Sequence, residues 1–130
     1  MFLFRRKKVE DEPVALEARS PDTGLKYKDI ALLGQLMQQG ADLTKPRHAL
    51  YYLYFGTPEA AEAGAEVARG AGYTCSVRDP LPAYPGQWSL VCERHDAMLD
   101  IDGVRSADDL FQGIADRAGA EFDGWEAAAN

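Results

Sequence analysis

Between Lys26 and Gln39 the apolar residues are three or four positions apart, which is the spacing of one face of a helix. Gly40 is well placed to end this helix, and Pro46 prevents it from resuming. The next eight residues, His48–Phe55, are almost all aliphatic or aromatic, so both faces of the strand that they predict are apolar. The pattern therefore indicates a leading helix followed by a strand in the centre of a sheet.

A second helix is predicted to begin at Thr57-Pro58, because a threonine cap followed by proline is a favoured helix start. It ends at Gly70-Ala-Gly72. Alanine and glycine dominate its apolar side, with Gly64 in the middle. Such small side chains predict that the helix lies close to a sheet.

Alternating apolar and polar residues predict two further strands, Tyr73–Arg78 and Trp88–Arg94, joined by a connection with three prolines over residues 79–86. A capping box at Ser106 predicts the start of another helix, which ends at Gly119. A last short strand, Ala120–Asp123, closes the series.

This order of elements predicts an α+β fold of the ferredoxin-like type. We expect a split β-α-β sandwich, in which a four-stranded antiparallel sheet carries two helices on one face and an N-terminal helix precedes it. Residues 1–23 lack periodicity and mix basic, acidic and proline residues, so we predict a flexible N-terminal tail. Residues 24–130 then form the single domain.

The chain of 130 residues has a net charge of -7, and the charge is unevenly distributed. Residues 48–130 hold five Lys/Arg against fourteen Asp/Glu. An acidic domain repels phosphate backbones, so we expect no direct nucleic-acid binding and rather a basic protein surface as partner. The apolar runs fall short of the ~20 residues that cross a bilayer. The basic cluster near the start would attach only weakly to lipid. We therefore expect a cytoplasmic protein without stable membrane association.

Few residues suggest chemistry. Cys75 and Cys92 each lie in an apolar strand, and buried free thiols are favoured over a disulfide between them. His95-Asp96 resembles an acid–base pair, but neighbours in a strand rarely face each other, and no nucleophile motif accompanies them. Asp100 and Asp102 fit a calcium loop only at its first two positions, so a negatively charged helix start is preferred. We expect no catalysis, no metal and no cofactor.

Three tyrosines of the first strand, Tyr51, Tyr52 and Tyr54, resemble the strand aromatics on which RNA-recognition domains stack bases. Those domains also place aromatic and basic residues on a second central strand, and Trp88–Arg94 lacks this pattern. We prefer core packing combined with a protein-contact surface. The alternative is a small-ligand or RNA-binding module that uses the face of the sheet opposite the helices.

Four short motifs carry a family resemblance: Leu36-Met-Gln-Gln-Gly40-Ala-Asp42, Pro46-Arg47 before the aromatic strand, Gly72-Tyr73, and Phe122-Asp-Gly-Trp125. Over roughly residues 30–125 the chain resembles the RraB family, whose members are known as regulators or inhibitors of ribonuclease E. The resemblance implies a ferredoxin-like protein-binding regulator without cofactor or reaction, whose partner is ribonuclease E or a related endonuclease.

Interface anchors are often tryptophan and arginine, and loops commonly determine which partner is bound. Two interpretations of Trp125 stay open: it closes the end of the sheet as a plug, or Asp123, Trp125 and Glu126 form a binding corner with the loop of residues 40–47. The residues expected to contact the partner are Asp42, Arg47, Tyr52, Tyr54, Asp123 and Trp125.

Overall fold

The computed structural model describes residues 3–5 and 14–129. These residues form five strands and three α-helices. In chain order they are strand β1 (Leu3–Arg5), a short 3-10 helix (Val14–Glu17), helix α1 (Tyr27–Gln38), strand β2 (Arg47–Phe55), helix α2 (Pro58–Gly70), strands β3 (Thr74–Arg78) and β4 (Trp88–Ala97), helix α3 (Ile101–Ala118) and strand β5 (Glu121–Ala128).

The strands form one sheet in the order β1-β5-β2-β4-β3, and each neighbouring pair is antiparallel. The last four strands of that order are those of the split β-α-β arrangement, in which each helical connection skips over one strand. The predicted α+β, ferredoxin-like fold with a leading helix is therefore confirmed. Strand β1, which the sequence pattern did not predict, adds a fifth strand beside β5.

The start of α2 follows from its sequence. Thr57 has extended backbone angles, and its hydroxyl accepts a hydrogen bond from the backbone N–H of Ala60 at 3.1 Å. Pro58 occupies the first turn, where a missing N–H removes no helical hydrogen bond. Threonine caps of this kind contribute about 1 kcal/mol to helix stability.

Helix α3 begins earlier than predicted, at Ile101 rather than near Ser106. Asp100 is its cap, with a carboxylate oxygen that accepts from the backbone N–H of Gly103 at 2.8 Å. The helix ends as predicted at Gly119, which adopts the left-handed conformation with φ 61°. Because the cap at Asp100 starts the helix before Ser106, Ser106 lies inside the helix. Val104, in the part of the helix that was not predicted, is buried.

Two strands are also longer than predicted, because pairing with β2 continues beyond the alternating sequence pattern. Strand β4 extends to Ala97, which pairs with Arg47 after a bulge. Strand β5 extends to Ala128 instead of stopping at Asp123. Its pairing with β2 shifts register next to Tyr52, opposite Gly124, whose φ of 107° suits a glycine.

The core lies between the sheet and the two helices α2 and α3. Along β2, every second side chain from Arg47 to Phe55 is buried. Tyr51 stacks on Phe111 of α3 with ring centroids 4.6 Å apart, and the edge of Tyr73 meets both rings. Aromatic pairs of this geometry contribute roughly 0.5–1.5 kcal/mol each beyond their buried area.

The segment before α1 is tied to α3 by charged groups that are nearly inaccessible to solvent. Lys26 and Asp108 are both 4% exposed, and their Nζ and Oδ1 atoms lie 3.2 Å apart. Arg19 donates a hydrogen bond to the other oxygen of the Asp108 carboxylate, and Lys26 donates to Gln112 at 2.8 Å. Because each buried charge has an opposite partner, the leading helix is held in one position beside the domain.

The division into a flexible tail over residues 1–23 and a domain over 24–130 remains a prediction. Residues 1–2 and 6–13 lie outside the described residues, whereas Leu3–Arg5 pairs with β5 and Arg19 forms an isolated bridge with Lys26. Among the described residues, no helix combines the length and the apolar character needed to cross a membrane.

Candidate functional site

The side chains of β2 that do not point toward α2 and α3 lie on the opposite face of the sheet. His48, Leu50, Tyr52 and Tyr54 lie on this face, and each is only partly buried. We call it the polar face, because most of the side chains that flank β2 here are polar. From the neighbouring strands these are Thr74, Ser76, Arg78, Ser89, Glu93, Glu121 and Glu126. Carboxylates outnumber cations among them, so the face suits a basic partner better than a phosphate backbone.

Tyr52 is at the centre of the polar face. Its hydroxyl donates a hydrogen bond to a carboxylate oxygen of Glu126 on β5. Beside it lies a shallow groove of about 280 Å³ lined by residues that include Leu50, Arg78 and Val91. The hydroxyl of Tyr52 is therefore held by Glu126 next to a groove with both polar and apolar lining, which is an arrangement suited to contact with another surface.

Tyr54 lies near the end of β2, where a larger concavity of about 610 Å³ opens between β5 and the β3–β4 connection. We call this region the strand-end surface, and its residues are Tyr54, Leu81, Tyr84, Gln87, Ser89, Glu121 and Asp123. Leu81 is 66% exposed and Tyr84 is 59% exposed, although both are large and apolar. The strand-end surface thus combines exposed apolar groups with two carboxylates, which is typical of a protein contact surface.

The structure brings only two of the six predicted contact residues, Tyr54 and Asp123, into the strand-end surface. Asp42 lies in the loop after α1 and is exposed. Its carboxylate accepts from the backbone N–H of Thr44 at 3.0 Å and from the Thr44 hydroxyl at 2.6 Å. These hydrogen bonds lower the pKa of Asp42 below its usual value.

Arg47 is 7% exposed and its guanidinium holds backbone groups together. One nitrogen donates to the carbonyl of Ala128 at 2.6 Å, and another donates to the carbonyl of Asp42. The side chain therefore fastens the loop after α1 to the end of β5. A contact of Arg47 with a partner remains a prediction.

Trp125 is 4% exposed and lies opposite Tyr51 in the register, on the helix-covered face. Its indole N–H donates to a carboxylate oxygen of Asp29 at 3.0 Å. Burial raises the pKa of Asp29 from its ordinary 3.8 to about 6, and the nearby charge of Asp108 adds to the rise. Trp125 therefore joins β5 to α1 from inside the protein, away from Tyr52 and Tyr54.

The residues that resembled an acid–base pair or a calcium loop in the sequence make other contacts in the structure. The Asp96 carboxylate pairs with Arg94 at 2.8 Å, while the ring of His95 stacks on His48. Asp100 serves as the cap of α3, as a negatively charged helix start requires. These positions give no support to an acid–base pair or a calcium loop.

Cys75 and Cys92 are free thiols that lie directly opposite each other on β3 and β4, with sulfur atoms 3.0 Å apart. Burial raises the pKa of both thiols. A raised pKa keeps the thiols protonated at neutral pH, and a protonated thiol is a poor nucleophile.

The sequence interpretation missed Leu81 and Tyr84. Both lie in the connection rich in proline, which was interpreted only as a hairpin link. Large apolar residues within a polar, proline-rich connection are the signal that would have identified them, since such a loop has no core to bury them in.

Comparison with known proteins gives one positive result. Residues 27–127 match the model of a family described as RraB, regulator of ribonuclease activity B. The match runs from the start of α1 to Ala127 in β5, and it includes Tyr54, the β3–β4 connection and Asp123. A search of curated proteins found no match.

Proposed function

Because the chain belongs to the RraB family, the regulators of ribonuclease activity B, we propose that it regulates a ribonuclease by binding it directly as a protein. The proposed partner is ribonuclease E or a related endonuclease. The chain acts without a cofactor and without a reaction of its own. Binding hinders the access of RNA, or of associated proteins, to the nuclease.

The strand-end surface is the proposed contact site. One observation carries this assignment: Leu81 and Tyr84 are more than half exposed in a connection that lies next to Tyr54 and the acidic end of β5. Exposed large apolar side chains next to carboxylates favour a basic protein surface that also offers apolar pockets. The other four predicted contact residues lie outside this surface, and any role for them in binding remains a prediction; they are Asp42, Arg47, Tyr52 and Trp125.

A binding measurement with purified ribonuclease E tests the proposal. The immobilised nuclease is titrated with the full chain by surface plasmon resonance, and cleavage of a short RNA substrate is followed in parallel. We expect saturable binding together with slower cleavage. The double substitution Leu81→Ser and Tyr84→Ser should weaken binding by roughly tenfold or more, because a buried interface anchor commonly contributes over 1 kcal/mol.

Met37→Ser is the matched control. Met37 is 62% exposed on α1, so its substitution removes an exposed apolar group that does not line the strand-end surface. Equal loss of affinity in the control and in the double variant would refute the strand-end surface. Absence of binding to ribonuclease E would refute the named partner, and capture from lysate followed by mass spectrometry would then identify which nuclease, if any, is bound.

The alternative, a small-ligand or RNA-binding module, uses the same polar face. A gel-shift titration with short RNAs at several salt concentrations separates it from protein binding. A direct RNA binder loses affinity steeply as salt increases. We expect no shift at physiological salt, because residues 48–130 carry fourteen acidic groups against five basic ones.

A further inference from the structure

Both histidines of the chain lie on the polar face, at the end of β2 and β4 that is far from the strand-end surface. His48 is the second residue of β2, and His95 is near the end of β4, next to the bulge in the pairing of these strands. Glu93, two residues before His95, points to the same side. The fold thus gathers two imidazoles and one carboxylate from two adjacent strands.

The distances within this group are short. The Nε2 atom of His48 and the Oε2 atom of Glu93 are 2.6 Å apart. The rings of His48 and His95 are stacked, with centroids 4.3 Å apart and planes inclined by 6°. One potential ligand atom from each of the three residues lies within 4.8 Å of the others. Ligand atoms around a tetrahedral zinc ion are about 3.4 Å apart, given bonds of about 2.0–2.2 Å. Because an imidazole nitrogen binds an ion in the plane of its ring, one of the two stacked rings would turn out of the stack to bring the three ligand atoms around an ion.

The local environment also favours an ion. The side chain of His48 is 12% exposed, and its Nδ1 atom is buried with no hydrogen-bond partner among the described residues. The Nε2 atom of this imidazole contacts Glu93, whereas its Nδ1 atom makes no hydrogen bond to the described residues. Glu93 is 36% exposed and His95 is exposed, so an ion has a path from solvent. Two strands of a sheet provide a rigid base, as a preorganised metal site requires.

We propose that His48, Glu93 and His95 bind a divalent transition-metal ion, zinc in the first instance. Two histidines and one glutamate are a donor set that zinc accepts. Three protein ligands leave at least one coordination position, which water or a ligand from another molecule fills. The site is separate from the proposed nuclease contact, so either proposal stands if the other fails.

Zinc titration of the untagged full chain tests the site, after treatment with a chelator and removal of the chelator. Isothermal titration calorimetry should give one zinc ion per chain. When cobalt replaces zinc, the protein should absorb visible light with the intensity that is typical of a four-coordinate cobalt ion. His95→Ala should weaken zinc binding by roughly tenfold or more, since even residues that only support metal ligands commonly contribute that much. His48→Ala and Glu93→Gln should each do the same.

The control is Glu59→Gln, which causes the same change in charge as Glu93→Gln but lies in the first turn of α2, on the other side of the sheet. It should bind zinc like the unchanged chain. His95 is exposed, so its substitution is expected to leave the fold intact, and circular dichroism checks this. Zinc binding that survives His95→Ala unchanged, or the absence of saturable binding by the unchanged chain, would overturn the proposal.

The two histidines offer a second, independent measurement. Only two histidine side chains contribute imidazole signals to the NMR spectrum. Both should shift together on addition of zinc, in proportion to the fraction of chain that calorimetry reports as bound. A shift of only one histidine, or of neither, would contradict a site that both rings share.

Discussion

The two faces of the sheet share one central strand but differ in what their side chains do. On the helix-covered face, Tyr51 and Phe55 of β2 are almost inaccessible, and Tyr51 stacks on the ring of Phe111. On the polar face, Tyr52 and Tyr54 remain partly exposed. Tyrosines 51 and 52 are neighbours of the same type, yet one is part of the core and the other donates to Glu126. The residue type therefore does not determine the role of each tyrosine. Its position in the strand does, because successive side chains point to opposite faces of the sheet.

The largest expected effect lies in the core. Phe111→Ala removes the ring that contacts Tyr51, Tyr73 and Phe122, and it should lower the free energy of unfolding by about 3–5 kcal/mol. Urea denaturation measures this loss. The matched substitution on the other face, Tyr54→Ala, should cost far less, since that ring is only partly buried. Similar losses for the two variants would contradict the distinction between the faces.

A buried carboxyl on the helix-covered side predicts a pH dependence. The pKa of Asp29 is about 6 in the folded protein and ordinarily 3.8. Because the folded protein binds this proton more tightly, the stabilisation is present below about pH 4 and is lost as the pH rises through about 6. Asp29→Asn removes the titration. Its unfolding free energy relative to the unchanged chain should therefore rise by about 2–3 kcal/mol between pH 4 and pH 7.

Urea denaturation at four pH values across that range, on both chains, provides the measurement. Asp102→Asn is a suitable control, because that carboxylate is exposed in the first turn of α3. A difference between Asp29→Asn and the unchanged chain that stays constant from pH 4 to pH 7 would show that Asp29 does not titrate in this window.

Close packing of α2 on the sheet gives a smaller effect. A Cβ atom added at Gly64 would lie 2.9 Å from the ring of Phe55 and 3.0 Å from a methyl carbon of Ile114. Overpacking costs typically 1–3 kcal/mol, against a gain of about 1 kcal/mol in helix propensity. Gly64→Ala should therefore destabilise the protein by about 1 kcal/mol. Gly34 lies on α1, where an added Cβ atom meets open space, so Gly34→Ala should instead stabilise the protein. Thermal unfolding of both variants shows whether one substitution lowers the stability and the other raises it.

The smallest expected effect on stability is at the strand-end surface. Tyr84 is 59% exposed in the β3–β4 connection, so Tyr84→Ser should change the unfolding free energy by less than about 0.5 kcal/mol. Thermal unfolding checks this directly. Stability close to that of the unchanged chain, combined with weaker nuclease binding, would mark the residue as functional. A large loss of stability would show that Tyr84 belongs to the packed structure.

The order of helices and strands could be predicted from the sequence, because the residues of each long element indicate its start, its periodicity or its end. Thr57-Pro58 and Gly119 are local signals, and they lie where the sequence predicts. The start of α3 was less visible, since Asp100 and Ser106 are both chemically able to cap a helix. The lengths of β4 and β5 were not predictable either, because they depend on how far β2 provides a partner strand.

The candidate sites depended even more on the tertiary structure. Arg47 and Trp125 are residue types that favour interfaces, and the sequence left Trp125 open between a plug and an interface anchor. The fold buries both side chains against backbone or carboxylate groups. Tyr54 and Asp123, by contrast, are brought together with Leu81 and Tyr84 from a loop distant in sequence. No spacing rule connects such residues, because pairing between strands, rather than distance along the chain, sets their separation.

By itself, the sequence determined the fold class, the family motifs and the acidic character of the domain, since these follow from local periodicity, turn residues and composition. The tertiary structure decided which neighbour in an alternating strand faces the helices. It also brought His48, Glu93 and His95 together, although the two histidines are far apart in the chain. The physical reason is that secondary structure arises from interactions between nearby residues, whereas a site arises from the register of strands that meet only in the folded sheet.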